Sequence, residues 1–233
     1  MWSGDFVFGE MWAGYRGPAH DTSEHAHLAV QIALGISGPV QIEAQGSMLL
    51  ASSVMIRPRA RHRLICAGEE VLLIFIEPQS NIGRALIHTM GSAEICAAPP
   101  PVADTLQATA SPQTTMAQLA ISLIDPAPCH DGRVATAIGV FASDWGPNAI
   151  HNAAVAVGLS PSRLRALTRA ETGAPLSQWL LWRKLEHAAR AISTGASLAE
   201  AAHAGGFADQ PHFSRTMRRM FGLTPGAAAI ALR

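Results

Sequence analysis

Three groups of side chains have the types and spacing to do chemistry. The first is His25-x-His27-x-x-x-Gln31, joined from further along by His62 in the stretch IRPRARHRLICAGEE. If the chain is extended there, residues 25, 27 and 31 share one face, and a return strand could bring His62 opposite them. Imidazoles grouped this way suit a divalent transition metal. They also suit direct contact with a small effector, or hydrogen bonds in a pocket or on a polar face. The other two groups are basic: Ser162, Arg165 and Arg169 at helical spacing, then Gln210, Ser214, Arg215 and Arg218. Arginine can bond guanine bidentately and glutamine can bond adenine, while serine and the more C-terminal arginines suit phosphate. Either stripe alone could be a solvated helix face.

The elements that would position these groups differ between the two halves of the chain. In the first half the pattern has a period of two: Leu28, Val30, Ile32, Leu34 and Ile36 fall on one face, His25, His27, Ala29, Gln31 and Ala33 on the other. Further strands are predicted over 40–44, 47–50, 54–57, 61–67 and 70–77, separated by Gly, Pro and Ser, which implies a small antiparallel sandwich or barrel. A helix is predicted over 82–90. GSAEICAAPPPVAD then reads as a connector too rich in breakers for a regular element. A second helix is expected over 116–124, and DPAPCHDG reads as the last linker, with a domain boundary near 126–131. Arg57, Arg59, Arg61 and Arg63 alternate, so they could line one sheet face and hold an anionic effector, or simply be solvated.

The second half is rich in Ala, Leu and Arg and contains an internal repeat. Ala153-Ala154-x-Ala156-x-Gly158-Leu159 recurs as Ala201-Ala202-x-Ala204-x-Gly206-Phe207, an offset of 48, and Gly173 and Pro175 recur as Gly222 and Pro225. Each copy reads as a helix, a glycine in the left-handed conformation, and a second helix capped by Ser160 or Asp209, with Pro161 or Pro211 in its first turn. That is helix-turn-helix grammar. Leu164 and Leu167 in one copy, and Phe213, Met217 and Met220 in the other, have the spacing to face a core. Gly173 and Gly222 close the second helices. Between the copies, 175–193 is predicted as one helix with Leu181, Leu185, Ala189 and Ile192 on a single face. At 1.5 Å per residue it spans roughly 28 Å, close to the ~34 Å repeat of duplex DNA, so two helices spaced by it could enter successive major-groove segments.

Composition bounds these readings. With 48% hydrophobic and 15% charged residues the chain can bury a substantial core. The zero net charge divides unevenly: residues 1–130 hold 6 Lys+Arg against 11 Asp+Glu, and residues 131–233 hold 11 against 6. The basic half suits a polyanion. Cys66, Cys96 and Cys129 form no C-x-x-C pair, which argues against a disulfide framework or thiolate zinc knuckle. No apolar run approaches membrane length, and the N-terminus carries acids where a signal peptide needs bases, so a soluble, cytoplasmic protein without membrane partners is expected. No G-x-S-x-G, P-loop or dinucleotide fingerprint appears.

The motifs GLSPSRLRALTRAETGAPLSQWL, KLEHAARAIS and SLAEAAHAGGFADQPHFSRTMRRMFGLTP together resemble the DNA-binding domain of AraC/XylS-family transcription regulators. The resemblance implies that Ser162, Arg165 and Ala166 face bases in the first copy, and Gln210, Pro211, His212, Ser214 and Arg215 in the second. Arg163, Arg169 and Arg218 complete the candidate DNA-binding set. The sequence departs from the family pattern at Thr168, where a large aromatic is expected, and after Pro225, where GAAAIALR lacks the usual aromatic and basic pair. The histidine segment resembles the cupin fold that many such regulators use for sensing, with Gln31 where cupins normally carry a carboxylate. Without that carboxylate a two-histidine-one-carboxylate iron site is incomplete, so oxygenase chemistry is poorly supported.

The resulting expectation is an α+β protein: a cupin-like antiparallel β-barrel over 1–80, a helical connector and dimerisation region over 81–130, and an all-α domain with two helix-turn-helix motifs over 131–233. It would be a non-enzymatic regulator that binds double-stranded DNA. His25, His27, Gln31 and His62 would form the effector site, and His25, His27 and His62 would be the ligands of any divalent metal. The resemblance further implies a homodimer that works with RNA polymerase. The alternative is a cupin-type metal enzyme carrying a DNA-binding tail.

Overall fold

The computed structural model describes residues 4–9, 11–78, 80–107, 111–123, 131–172, 175–221 and 224–228. Contacts divide the chain into two compact units, residues 1–127 with 214–233, and residues 128–213. The expected linker and boundary at 126–131 fall largely outside the described residues, as do Cys129, Gly173, Gly222 and most of the GAAAIALR tail.

The first unit is built on antiparallel strands: β1 (Asp5–Gly9), β2 (Trp12–His20), β3 (Val30–Gly35), β4 (Val40–Ala44), β5 (Ser47–Ala51), β6 (Ser53–Ile56), β7 (Arg63–Ile65), β8 (Ala67–Ile76) and β9 (Ile95–Ala97). They form a six-stranded sheet in the order β1-β2-β8-β3-β6-β9 and a three-stranded sheet in the order β5-β4-β7. The expected barrel is therefore two separate sheets, with no closed ring among the described residues. A single antiparallel bridge between His25 and His62 lies outside the named strands.

Strand alternation fixes what β3 presents. Val30, Ile32 and Leu34 join Met55, Leu72, Ile74 and Ile76 in a core with Leu86, Val102, Leu106, Met116 and Leu119. The last five come from α1 (Asn81–Thr89), α2 (Pro100–Gln107) and α3 (Pro112–Ser122). Gln31 and Ala33 turn the other way and are also buried, because a strand covered on both faces sends alternate residues into different environments.

Two segments depart from expectation. β1 and β2 were not signalled by the sequence, since WAGYRGPAH has no aliphatic alternation; β2 is held by its register with β8, Trp12 opposite Ile76 through Glu70 opposite Pro18. The stretch expected to be an irregular connector contains β9, paired with β6, and α2. Prolines 100 and 101 occupy the first turn of α2, where no intrahelical N–H donor is needed.

The second unit contains α4 (Gly132–Val140), α5 (Ala149–Ala156), α6 (Pro161–Thr172), α7 (Leu176–Ser193) and α8 (Leu198–Ala204), and it takes in the start of α9 (Gln210–Phe221). A short α10 (Pro225–Ala228) follows. The predicted long helix forms as α7, but its buried stripe includes Trp179 and Trp182, while Leu181 is only half-buried. Among the described residues no helix is long and apolar enough to cross a membrane.

Candidate functional site

The two helix-turn-helix copies share their turn geometry. Gly158 has φ +65° and Gly206 has φ +67°, the left-handed region in which a side chain is strained. Ser160 Oγ accepts from Arg163 N at 3.3 Å at the head of α6, and Asp209 Oδ1 accepts from His212 N at 2.6 Å at the head of α9. Both predicted caps are thus present. The first helix of the second copy is also closed by a capping box, Glu200 N to Ser197 Oγ at 3.3 Å and Ser197 N to Glu200 Oε2 at 2.8 Å, for which the S-x-x-E of SLAE is the sequence signature. Gly158→Ala should lower stability by about 1–2 kcal/mol from backbone strain alone, since the added methyl meets no atom within 4 Å. Gly206→Ala should cost more, because its methyl would lie 3.3 Å from Trp145 Cδ1. Urea titrations of both variants check the order.

Each second helix has a buried side and an open side. Leu164 and Thr168 of α6 are buried and Leu167 is half-buried; Phe213, Met217 and Met220 of α9 are buried. The predicted base- and phosphate-facing residues lie on the open sides: Ser162, Arg163, Arg165, Ala166 and Arg169 on α6, and Gln210, Pro211, His212, Arg215 and Arg218 on α9, are exposed, and Ser214 is half-buried. Among the described residues no carboxylate pairs with Arg165, Arg169, Arg215 or Arg218, whereas Arg183 and Arg190 of α7 both bond Glu186, at 2.7 and 2.8 Å. The charge on α6 and α9 is therefore uncompensated and available to a polyanion.

A brace in the second unit escaped the sequence reading. The Trp145 indole stacks on His187 of α7, with ring centroids 3.6 Å apart, and donates from Nε1 to the Ala204 carbonyl at 3.1 Å. Lys184 Nζ donates to the Gly206 carbonyl at 3.0 Å. The segment between α4 and α5 and the linker helix α7 are thereby tied to the turn of the second copy. A Cβ on Gly205 would lie 2.6 Å from the Lys184 carbonyl oxygen, so α8 can approach α7 this closely only with glycine there.

The histidine group assembles as its spacing suggested. The antiparallel bridge joins His25 N to His62 O and His62 N to His25 O, both at 3.0 Å, which sets the two side chains on one side of the ladder. His25, His27, Gln31 and His62 are 6%, 2%, 3% and 1% exposed. The ring centroids of His25 and His62 are 4.4 Å apart, and those of His27 and His62 are 5.2 Å apart. Every Nδ1 faces a backbone carbonyl: Ser23 O at 2.9 Å from His25, Ala29 O at 3.1 Å from His27, and Ala60 O at 3.0 Å from His62. Gln31 Oε1 lies 2.6 Å from His27 Nε2 and 3.0 Å from His62 Nε2. Burial holds all three imidazoles below their ordinary range, His25 at about 4, and neighbouring histidines add to the effect at His25 and His27.

The alternating arginines do not form a row on a sheet face, because residues 57–61 lie outside the strands and only Arg63 is in one, β7. The Arg57 guanidinium donates to carbonyls at the end of α1 and just beyond it, Ile87 at 3.1 Å, Ala93 at 3.1 Å and Gly91. Arg61 pairs with Glu24 at 2.6 Å, and Arg63 Nε bonds Glu43 at 2.6 Å. Arg59 has φ +71°, and its N–H donates to the His27 carbonyl at 2.7 Å. These contacts tie the histidine segment to its surroundings and leave no shared anion cradle.

A helix-turn-helix domain family matches residues 153–229. No curated protein sequence matches the chain. Among solved structures, ToxT from Vibrio cholerae O395 aligns over 96% of this chain and 99% of its own, with 11% identity and a TM-score of 0.62. ToxT from Vibrio cholerae strain SCE256, solved with an unsaturated fatty acid bound, aligns over 97% of each chain at 9% identity and a TM-score of 0.57. An AraC-type regulator from Chromobacterium violaceum aligns over 43% of this chain and 90% of its own, at 27% identity and a TM-score of 0.40. The ToxT likeness is one of fold, extending across both halves.

Proposed function

Starting from a C-terminal segment that is an AraC-type helix-turn-helix domain, the mark of a DNA-binding transcription regulator, we propose that the chain reads a specific duplex sequence with α6 and α9 and answers to an effector bound in its N-terminal domain. The observation that carries the first part is the repeated unit itself: a left-handed glycine, a capped second helix, and an open face with arginines that no carboxylate neutralises among the described residues. In this reading Ser162, Arg165, Ala166, Gln210, Pro211, His212, Ser214 and Arg215 meet base edges, while Arg163, Arg169 and Arg218 hold phosphates. The protein works in the cytoplasm, domain 131–233 on the duplex, domain 1–80 as sensor and 81–130 as connector. RNA polymerase is its partner on DNA.

The effector site is the buried group His25, His27, Gln31 and His62, the sole cluster of three or more metal-ligating side chains among the described residues. A ToxT structure of the same fold holds a fatty acid, which supports small-molecule sensing as a use of this architecture. Two copies pair through the helices of 82–124. Two copies on adjacent sites raise the effective concentration of each.

Anisotropy titrations on a duplex selected from genomic DNA, with a scrambled duplex as comparison, test the reading. Preference for the selected sequence by 10³-fold or more is expected of a specific binder; equal affinity for both would overturn it. Arg218→Ala should weaken both duplexes evenly and reduce the slope of log K against log salt by about 1.

A further inference from the structure

We propose that Trp145 is a positioning residue for DNA reading: a strut within the second unit that locks the turn of the second helix-turn-helix copy to the first copy, and so sets the separation of half-sites the chain accepts. This rests on the regulator reading and adds to it a determinant that touches no base.

The strut can be followed from one copy to the other. At its first end Asp144 Oδ2 accepts from Asn152 Nδ2 at 2.7 Å and Asp144 Oδ1 accepts from Gly146 N at 3.1 Å, so the segment around Trp145 is pinned to α5, the first helix of copy one. Trp145 lays its indole on His187 of α7 with the ring planes 18° from parallel. Its Nε1 donates at 3.1 Å to the carbonyl of Ala204, the last residue of α8, where a helix leaves carbonyls without an intrahelical donor. Two residues on, the Gly206 carbonyl accepts from Lys184 Nζ at 3.0 Å. Side chains from two other elements thus converge on one turn.

From that turn the contacts run on to the reading residues. Phe207 is buried and packs against Phe213 with ring centroids 5.1 Å apart, and it meets the His212 ring edge-on at 5.4 Å. Asp209 caps the N–H of the same His212. Gln210, Pro211 and His212 form the head of α9, the part set against base edges in the proposed reading. A shift of the turn is therefore a shift of the reading residues.

The repeat supplies its own control. Copy one makes the same left-handed turn, yet a Cβ on Gly158 would meet nothing within 4 Å, whereas one on Gly206 would lie 3.3 Å from Trp145 Cδ1 and 3.7 Å from Lys184 Nζ. Helix-turn-helix geometry forms without the indole and the ammonium. What they add is a second connection between the copies, beside α7. Two bodies joined by one helix can swing as it bends and twists; a contact off the helix axis removes that freedom. Each base pair turns the duplex by roughly 35° and lengthens it by about 3.4 Å, so a rigid pair of heads accepts one separation and a hinged pair several.

The test titrates the full chain, by anisotropy, with the selected duplex and with versions carrying one base pair more or fewer between the half-sites. The intact chain should prefer the original separation by roughly 10- to 100-fold, the cost of misplacing base contacts of one head. Trp145→Ala should lower that ratio by roughly 2- to 30-fold, and Trp145→Phe, which keeps a ring on His187 but has no N–H, should fall between. Because the ratio is taken within each protein, a general loss of stability or of phosphate contacts cancels. Lys184→Met and Asn152→Ala each release one end and should lower the ratio too, which keeps the test open if Trp145→Ala does not fold. An unchanged ratio in folded Trp145→Ala, or in both single-end variants, would overturn the strut, as would an intact chain indifferent to the separation. Equal affinity of the intact chain for selected and scrambled duplexes would instead count against the regulator reading. Hydrogen exchange then still decides the strut: the amides of Gly205, Gly206 and Phe207, which donate to α8 carbonyls, should exchange faster in the Trp145 and Lys184 variants, and unchanged exchange would refute it.

Discussion

Arg165→Ala and Arg215→Ala are each expected to weaken duplex binding by about 1–3 kcal/mol, roughly 5- to 150-fold, and to relax the base preference at one position of the site. Both side chains are exposed, neither has a carboxylate partner among the described residues, and they lie on different helices, α6 and α9. As residues on separate helices, they should act additively to within about 0.5 kcal/mol in the double variant, for a combined loss of about 2–6 kcal/mol. Anisotropy on matched and scrambled duplexes separates the cases. Base reading predicts a larger loss on the matched duplex; equal losses on both would assign these arginines to the phosphates.

Acid should destabilise the N-terminal sheets. Unfolded imidazoles titrate near 6.5, whereas His25 in the folded chain is held at about 4, and His27 and His62 are also lowered. Between those values the unfolded chain takes up protons that the folded one refuses, so stability is complete above about pH 6.5 and falls as pH drops towards 4. At pH 5 the loss is about 2 kcal/mol for each histidine that remains neutral when folded. Urea midpoints at pH 7.5 and 5 measure it, and His25→Asn should flatten the dependence. A midpoint that does not move would mean that these rings are not buried as neutral bases.

The repeat in the second half was legible because each of its signals is local. A positive-φ glycine, a capping side chain and a proline in the first turn act within a few residues, and they give α6 and α9 whatever packs against them. β4 was likewise readable over 40–44 from alternation alone. β2 was not, because its residues become a strand only when β8 supplies the neighbouring ladder, and β9 needs β6 in the same way. The histidine group was half-legible. Spacing could place His25, His27 and Gln31 on one face and ask for a return strand, but the carbonyls that fix each ring belong to backbone around the bridge. Arg57, Arg61 and Arg63 illustrate the converse: their alternation was real, yet only Arg63 lies in a strand and each side chain meets a different partner.

The Trp145 brace bears on how such a protein can be cut down or recombined. An isolated first copy ending near Gly195 would lose the Ala204 carbonyl that holds the indole, and would uncover an aromatic surface that the intact chain engages. The second copy alone would lose the tryptophan beside Gly206. Neither half is a free-standing module, so exchanging the specificity of one reading helix for another is best done by substituting its exposed residues in place, and natural reshuffling of this architecture should move the pair as one inheritable block.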